Sequence, residues 1–342
     1  MADAGTGAVA VAGGSRGRWL GAIARQRELS LVAIMIVLGG LVALNAPQFL
    51  QASNLSQVAV LASVTAIAAI GEALVILTRN VDLSVEATIG IVAYVVAVSL
   101  ESHTFGAPLA ILFGILLGLV LGMINGVLVA YLRVPAIVAT LGTLSVFRGI
   151  DYFIAGSHQV PLAGLPEGFT DPARLDVFGI PIFVLVTIVI VAIGTVILRS
   201  TRFGRQVYAV GSNPEAAEIL GIPSRRVVFT AFALCGALAG VAGVMWVMEF
   251  GTINGTAATG AVLAIVAAAV VGGVNIFGGS GTLAGAALGA LFLGFIANAL
   301  PLVGLNQFWL QAIYGAVILA AVAADSVILR GIRRASTRRV NR

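Results

Sequence analysis

The sequence predicts an all-α membrane protein, a polytopic bundle of about ten transmembrane helices, and three observations carry that prediction. Sixty per cent of the 342 residues are hydrophobic and only 10% are charged, a balance far outside that of soluble domains. No Asp, Glu, Lys or Arg lies between Glu28 and Glu72, between Glu101 and Arg133, or between Glu249 and Asp325. Each of these runs is long enough for one or more helices of about 20 residues. Glycines also recur four apart, as Gly114, Gly118, Gly122 and Gly126, as Gly236 and Gly240, and as Gly281, Gly285 and Gly289. That spacing lines one helix face with small residues and lets backbones approach where lipid supplies no hydrophobic force between helices.

Apolar runs place spans at 29–46, 55–77, 83–100, 108–130, 135–155, 177–198, 227–247, 258–276, 280–300 and 308–329. Residues 1–28 precede them as a tail and residues 330–342 follow as a basic tail. Arg16, Arg18, Arg25 and Arg27 before the first run imitate a signal peptide. That run is long for a signal core and more spans follow, so it reads as a retained first helix. The breaks at Arg79–Asp82 and Gly278–Gly281 read either as loops or as re-entrant turns. Between the fifth and sixth spans, Pro161, Pro166 and Pro172 disfavour a long helix and suggest an ordered surface excursion, a plausible docking surface.

The net charge of +5 reflects arginines at the ends of apolar spans, which reads as a topology signal and not as a nucleic-acid surface. With the N-terminus inside, Arg79, Arg133, the group Arg199, Arg202, Arg205, Arg225 and Arg226, and the C-terminal tail all fall on the cytoplasmic side. The opposite connections hold the mostly acidic set Glu101, Glu167, Asp171, Arg174, Asp176 and Glu249. The segments LLGLVLGMINGVL (116–128) and LGALFLGFIANAL (288–300) share a Gly-spaced apolar run that reaches an Asn, a possible trace of internal duplication.

The chain contains no lysine, so it holds no Walker A phosphate loop. Any ATP and Mg that drive it are bound by another chain. Cys235 is alone, which removes an intrachain disulfide. His103 and His158 are far apart in sequence, and no HExxH, CxxC or GxSxG is present. The sequence therefore argues against an enzyme and against a metal site or bound cofactor.

Ionisable groups inside spans are expensive and each needs a reason. Arg148 and Asp151 lie three apart on one helix face, where they can neutralise each other. Glu72 lies in the second span as a proton carrier or a hydrogen-bonded carboxylate. Asp82 and Ser84 can cap the helix that follows them or mark a helix start near a translocation path. Asn125, Thr140, Thr143, Asn275 and Asn298 are neutral polar groups able to bind a hydroxylated solute or to hold helices together.

The longest polar stretch between the two apolar halves is Thr201–Arg226, within a loop of residues 199–226. Ser212 or Asn213 supplies a helix cap, with Glu215 three residues after Ser212 and Pro214 suited to the first helical position. Gly221 and Pro223 end the helix after about seven residues. So short a helix is marginal alone. Ala216, Ala217, Ile219 and Leu220 give it an apolar face suited either to a groove on a cytoplasmic partner or to its own bundle.

Four stretches, LTRNVDLSV (77–85), NGVLVAYLRVPAIVATLGTLSVFRG (125–149), TRFGRQVYAVGSNPEAAEILGI (201–222) and VVGGVNIFGGSGTLAGAALGALFLGFIANAL (270–300), resemble the permease subunits of bacterial ABC importers for monosaccharides. That family includes the ribose, arabinose, xylose, rhamnose and autoinducer-2 permeases. The resemblance implies a ten-helix permease of the type II importer kind in the bacterial inner membrane, with both termini cytoplasmic. It would work as a homo- or heterodimer with cytoplasmic ATPase subunits and a periplasmic sugar-binding protein. It also implies that Pro214–Leu220 is the coupling helix, with Arg205, Asn213, Pro214, Glu215, Ala217, Leu220 and Gly221 at the ATPase contact. Asp82, Ser84, Asn125, Thr140, Thr143, Asn275 and Asn298 are the translocation-path candidates. Glu86 stands where many members carry Gly after DLSV, which resembles the rhamnose branch and suggests a deoxyhexose. Glu86 is also a candidate partner for Arg79 or Arg148. The alternative is a proton-coupled secondary transporter of a small polar solute that uses Glu72, Asp82 or Glu86.

Overall fold

Each of the ten apolar stretches folds as a helix in the computed structural model, which describes residues 14–320 and Ala323, with side chains from residue 28 onward. The tail at 330–342, the end of the last span and residues 1–13 lie outside the described residues. The helices are α1 (Gly14–Asn45), α2 (Ala52–Leu77), α3 (Val85–Glu101), α4 (Ala107–Gly126), α5 (Ala136–Ala155), α6 (Ile182–Ser200), α7 (Arg202–Ser212), α8 (Pro214–Ile219), α9 (Ser224–Phe250), α10 (Ala261–Val271), α11 (Leu283–Leu302) and α12 (Trp309–Ala320). Seven helices among the described residues are long and apolar enough to cross a membrane, and α10 and α12 are shorter apolar helices. With α3 these account for the ten expected spans.

Three boundaries differ from expectation. The stretch 176–181 forms a hairpin, Asp176–Val177 against Ile180–Pro181, which turns through Phe178 and Gly179 at positive φ and delays α6 to Ile182. Residues 251–260 stay irregular because Gly251, Ala258 and Gly260 all adopt positive φ. The eighth span is thus reduced to the short α10. Gly281 belongs to a turn at φ 142, ahead of α11. The breaks at Arg79–Asp82 and Gly278–Gly281 are turns packed on each other, with the Gly279 N–H donating to the Leu77 carbonyl at 3.1 Å. The three-proline excursion carries short single turns at Leu162–Gly164 and Asp171–Ala173. It is tied to the chain after α9 by a bridge between Val160 and Ile253.

Helix α2 is the central post, with nearly every side chain from Ala66 to Leu77 buried. The glycine stripes explain how its neighbours close around it. Helix α4 lies along α9, where Gly118 and Gly122 face Gly236 and Gly240, and a Cβ on Gly118 would fall 2.8 Å from the Gly240 nitrogen. Gly285 and Gly289 likewise meet Gly272 and Ala268, which joins α11 to α10. The stripes are therefore interfaces inside the bundle.

The two sequence segments suspected of duplication occupy matching places. Helix α4 packs on α9 as α11 packs on α2, and α3 contacts α9 as α10 contacts α2. Gly71 of α2 touches Cys235 of α9 at the pair's crossing.

Overpacking a close interface costs about 1–3 kcal/mol, and backbone atoms opposite Gly118 cannot rotate aside. Gly118→Val is expected to lower the thermal midpoint of the purified protein clearly. Gly142→Ala, with nothing within 4 Å of the added methyl, is expected not to lower it. Superposable melting curves for Gly118→Val and the parent would count against the interdigitation.

Candidate functional site

The end of α2 shows how the sequence handles a chain break inside an apolar bundle. The Thr78 hydroxyl donates to the Val75 carbonyl at 2.8 Å, and Arg79 reverses the chain at φ 69. The Asp82 N–H then donates to the Glu72 carboxylate at 3.0 Å. One Asp82 oxygen accepts from the Ser84 N–H at 2.9 Å and from its hydroxyl at 2.7 Å, so Asp82 closes the start of α3. From α4, the Asn125 amide donates to the Ser84 hydroxyl at 2.7 Å and, more weakly, to Asp82 at 3.3 Å. From α5, the Thr143 hydroxyl donates to the Asn125 carbonyl oxygen at 2.7 Å. The Thr140 hydroxyl donates to the Ala136 carbonyl at 2.8 Å and to that of Val81 at 3.3 Å.

Five of the seven translocation candidates, Asp82, Ser84, Asn125, Thr140 and Thr143, thus meet in one buried place that ties α2, α3, α4 and α5 together. In this arrangement their polar atoms are spent on one another and, for Thr140, on the backbone carbonyls of Ala136 and Val81. Asn275 and Asn298 lie elsewhere. Asn275 accepts from the Phe277 N–H at 2.9 Å in the turn before α11. Asn298 exchanges amide hydrogen bonds with Asn54 at 2.9 and 3.1 Å.

A second buried polar group surrounds Arg148 on α5. Its guanidinium reaches Asp151 at 3.4 Å and Glu86 at 3.9 Å. It also donates to the carbonyls of Ala257 at 2.8 Å and Gly255 at 3.4 Å. Arg148 therefore holds down the irregular 251–260 segment, whose carbonyls have no helix to serve them. The other Glu86 oxygen accepts from the Val262 N–H at 3.0 Å, in the first turn of α10. The residue that departs from the common pattern after DLSV is engaged in closing that helix start. Among buried side-chain polar atoms of the described residues, only Asp151 Oδ1 has no hydrogen-bond partner.

At the arginine-bearing end, α7 was not anticipated within the polar loop. Its signal was readable in the spacing of Phe203, Val207 and Val210, with Thr201 as cap accepting from the Gly204 N–H at 3.2 Å. Gly211 lies against the Leu77 carbonyl, and the Tyr208 hydroxyl donates to the Gly281 carbonyl at 2.9 Å. Burial pushes the Tyr208 pKa up, with the nearby Arg199 opposing. Helix α8 follows. Asn213 is the cap, accepting from the Ala216 N–H at 3.0 Å with Pro214 in the first turn. Gly221 at φ 74 ends the helix.

The apolar residues of α8 divide between two faces. Ala217 is 2% exposed and belongs to the buried cluster that includes Leu77, Val210 and Val227, on the face of α8 turned to the bundle. Ile219 and Leu220 are 86% and 78% exposed. Arg205, Asn213, Glu215 and Gly221 are exposed and Pro214 is half-buried. Beside α8 lies a depression of 420 Å³ lined by Arg79, Arg133, Arg225 and Glu218. No cluster of His, Cys, Asp and Glu suited to a metal occurs among the described residues.

Removing one partner of a buried ion pair costs about 3–5 kcal/mol. Arg148→Met is expected to destabilise the protein by that order in denaturant melts, and adding Asp151→Leu to recover part of the loss. Parent-like stability of Arg148→Met would contradict its role as a clamp on residues 251–260.

The family described as branched-chain amino acid transport system / permease component matches residues 54–322. The chain is similar to the autoinducer 2 import system permease protein LsrC of Enterobacter sp. (strain 638), 37% identical over 91% of this chain and 90% of the relative. It is also similar to LsrC of Salmonella typhi, at 37% over 90% and 86%, and to LsrC of Escherichia coli O9:H4 (strain HS), at 35% over 91% and 90%. No solved structure matches the chain.

Proposed function

This chain belongs to the family described as branched-chain amino acid transport system / permease component, and from that premise we propose that it is the membrane subunit of an ATP-driven importer for a monosaccharide or a sugar-like signal. It carries no catalytic activity of its own. The observation that carries this reading is α8, a capped helix fixed from behind by Ala217 that offers Ile219 and Leu220 outward. Exposed large apolar side chains on a short, rigid support suit a groove on a partner. The partner in this reading is the cytoplasmic ATPase, which holds ATP and Mg.

Helices α7 and α8 are braced against the end of α2 and the turn before α11, through Gly211 and Tyr208. A push on α8 therefore reaches the break at Arg79–Asp82, and with it the polar ties among α2, α3, α4 and α5. Orientation follows from charge. The arginines around α7 and α8 suit the cytoplasm, and the opposite end with Glu101 and Glu249 suits the outside, where a binding protein would dock. The translocation path would form with a second permease subunit.

Glu86 motivated a deoxyhexose such as rhamnose as the substrate, and the LsrC relatives give autoinducer 2 equal claim. Competition of each against uptake of the other distinguishes them. The proton-coupled alternative is weakened by geometry, because Glu72, Asp82 and Glu86 each accept hydrogen bonds that close a helix start or a turn.

In proteoliposomes with the partner ATPase and binding protein, Glu215→Arg or Leu220→Asp is expected to leave the protein inserted and to uncouple ATP hydrolysis from uptake. Normal transport in both variants would remove α8 as the contact. Uptake driven by a pH gradient without any ATPase, and abolished in Glu72→Gln, would replace this reading with the proton-coupled one.

A further inference from the structure

We propose that the half-open groove between α2, the junction of α9 and α10, α11 and α12 is a binding site, within a single permease chain, for a neutral hydroxylated ring the size of a monosaccharide. The site rests on the import reading for its place in transport, and on its own lining for its chemistry. Its volume is about 620 Å³, within the roughly 300–1,000 Å³ of small-molecule pockets.

Trp246 and Phe250 form one wall, their rings 4.4 Å apart and inclined by 35°. Aromatic faces of this kind accept the C–H side of a sugar ring while polar groups take its hydroxyls. Those polar groups are free. Thr65, Trp246, Thr259, Gln307 and Tyr314 line the groove, and none of their side chains is hydrogen-bonded to a described residue. Asn298, also on the wall, spends one N–H on Asn54 and keeps a second donor.

The contrast with the rest of the bundle gives this weight. Thr259 and Gln307 stand exposed at the mouth of the groove and Thr65, Trp246 and Tyr314 are half-buried along its wall, so their polar atoms are accessible to a ligand, whereas those of the network around Asn125 are buried and paired. No charged residue lines the groove, so an ionic ligand has no partner there. The neighbouring cavity of about 460 Å³ between α2, α6 and α11 is different. Its polar residues, Ser63 and Thr187, donate to their own helices, which suits a lipid chain.

The test uses the full chain in lipid nanodiscs without ATPase. L-rhamnose, D-ribose, D-xylose, L-arabinose and autoinducer 2 are titrated while tryptophan fluorescence is recorded for the parent and for Trp246→Phe. A saturable change in the parent that is lost in Trp246→Phe supports the site, and no saturable change with any of the five overturns it. In the reconstituted importer, Thr259→Val, a nearly isosteric change, is expected to raise the uptake KM about tenfold with the maximal rate less affected. An unchanged KM in a system that imports sugar also overturns the site and leaves the import reading standing. Failure of the parent to import any sugar with its ATPase and binding protein counts against the import reading alone, since the fluorescence titration needs no transport.

Discussion

Wherever the backbone leaves a helix inside an apolar bundle, its N–H and C=O groups must find partners in protein, because lipid offers none. This chain breaks its helices at residues 78–84, 251–260 and 272–282, and polar side chains, most of them buried, serve the backbone at those places. Glu72 and Asp82 serve the first break, Arg148 and Glu86 the second, and Asn275 the third. Charges that would be costly in hydrocarbon are retained where a helix end would otherwise cost as much.

The same constraint links the membrane helices to the loop at the arginine-bearing end. The first and third breaks lie against each other and against the end of α7, so two helix breaks and the α7–α8 junction share one set of contacts at Leu77, Gly211 and Gly279. Rigid helices meet there at a joint of turns. A force arriving through α8 would act on a region of the bundle where several helices end together.

Most of the architecture was legible in sequence because it depends on apolar run length and glycine spacing, both local properties. The cap at Asn213 and the pairing of Arg148 with Asp151 were readable for the same reason. What escaped was long-range. Ala217 sits among apolar neighbours on α8 in sequence, and only packing on Val210 and Val227 separates its face from that of Ile219. Asp82, Asn125 and Thr143 were singled out individually, yet that they share one hydrogen-bond network depends on how α2, α4 and α5 assemble. Trp246 and Tyr314 lie within apolar runs, and nothing in a single helix reveals a donor left unpaired along a groove.

The exchange of partners between the two halves bears on how the protein is made. Helix α4 rests on α9 and α11 rests on α2, so each half supplies the surface that the other needs. During synthesis, the glycine face of α4 has no backbone to meet until α9 emerges, more than a hundred residues after Gly118. The nascent chain must therefore wait in the bilayer with its closest-packing surfaces facing lipid or the insertion machinery. The α4–α9 and α2–α11 interfaces can close only once the second half has been made.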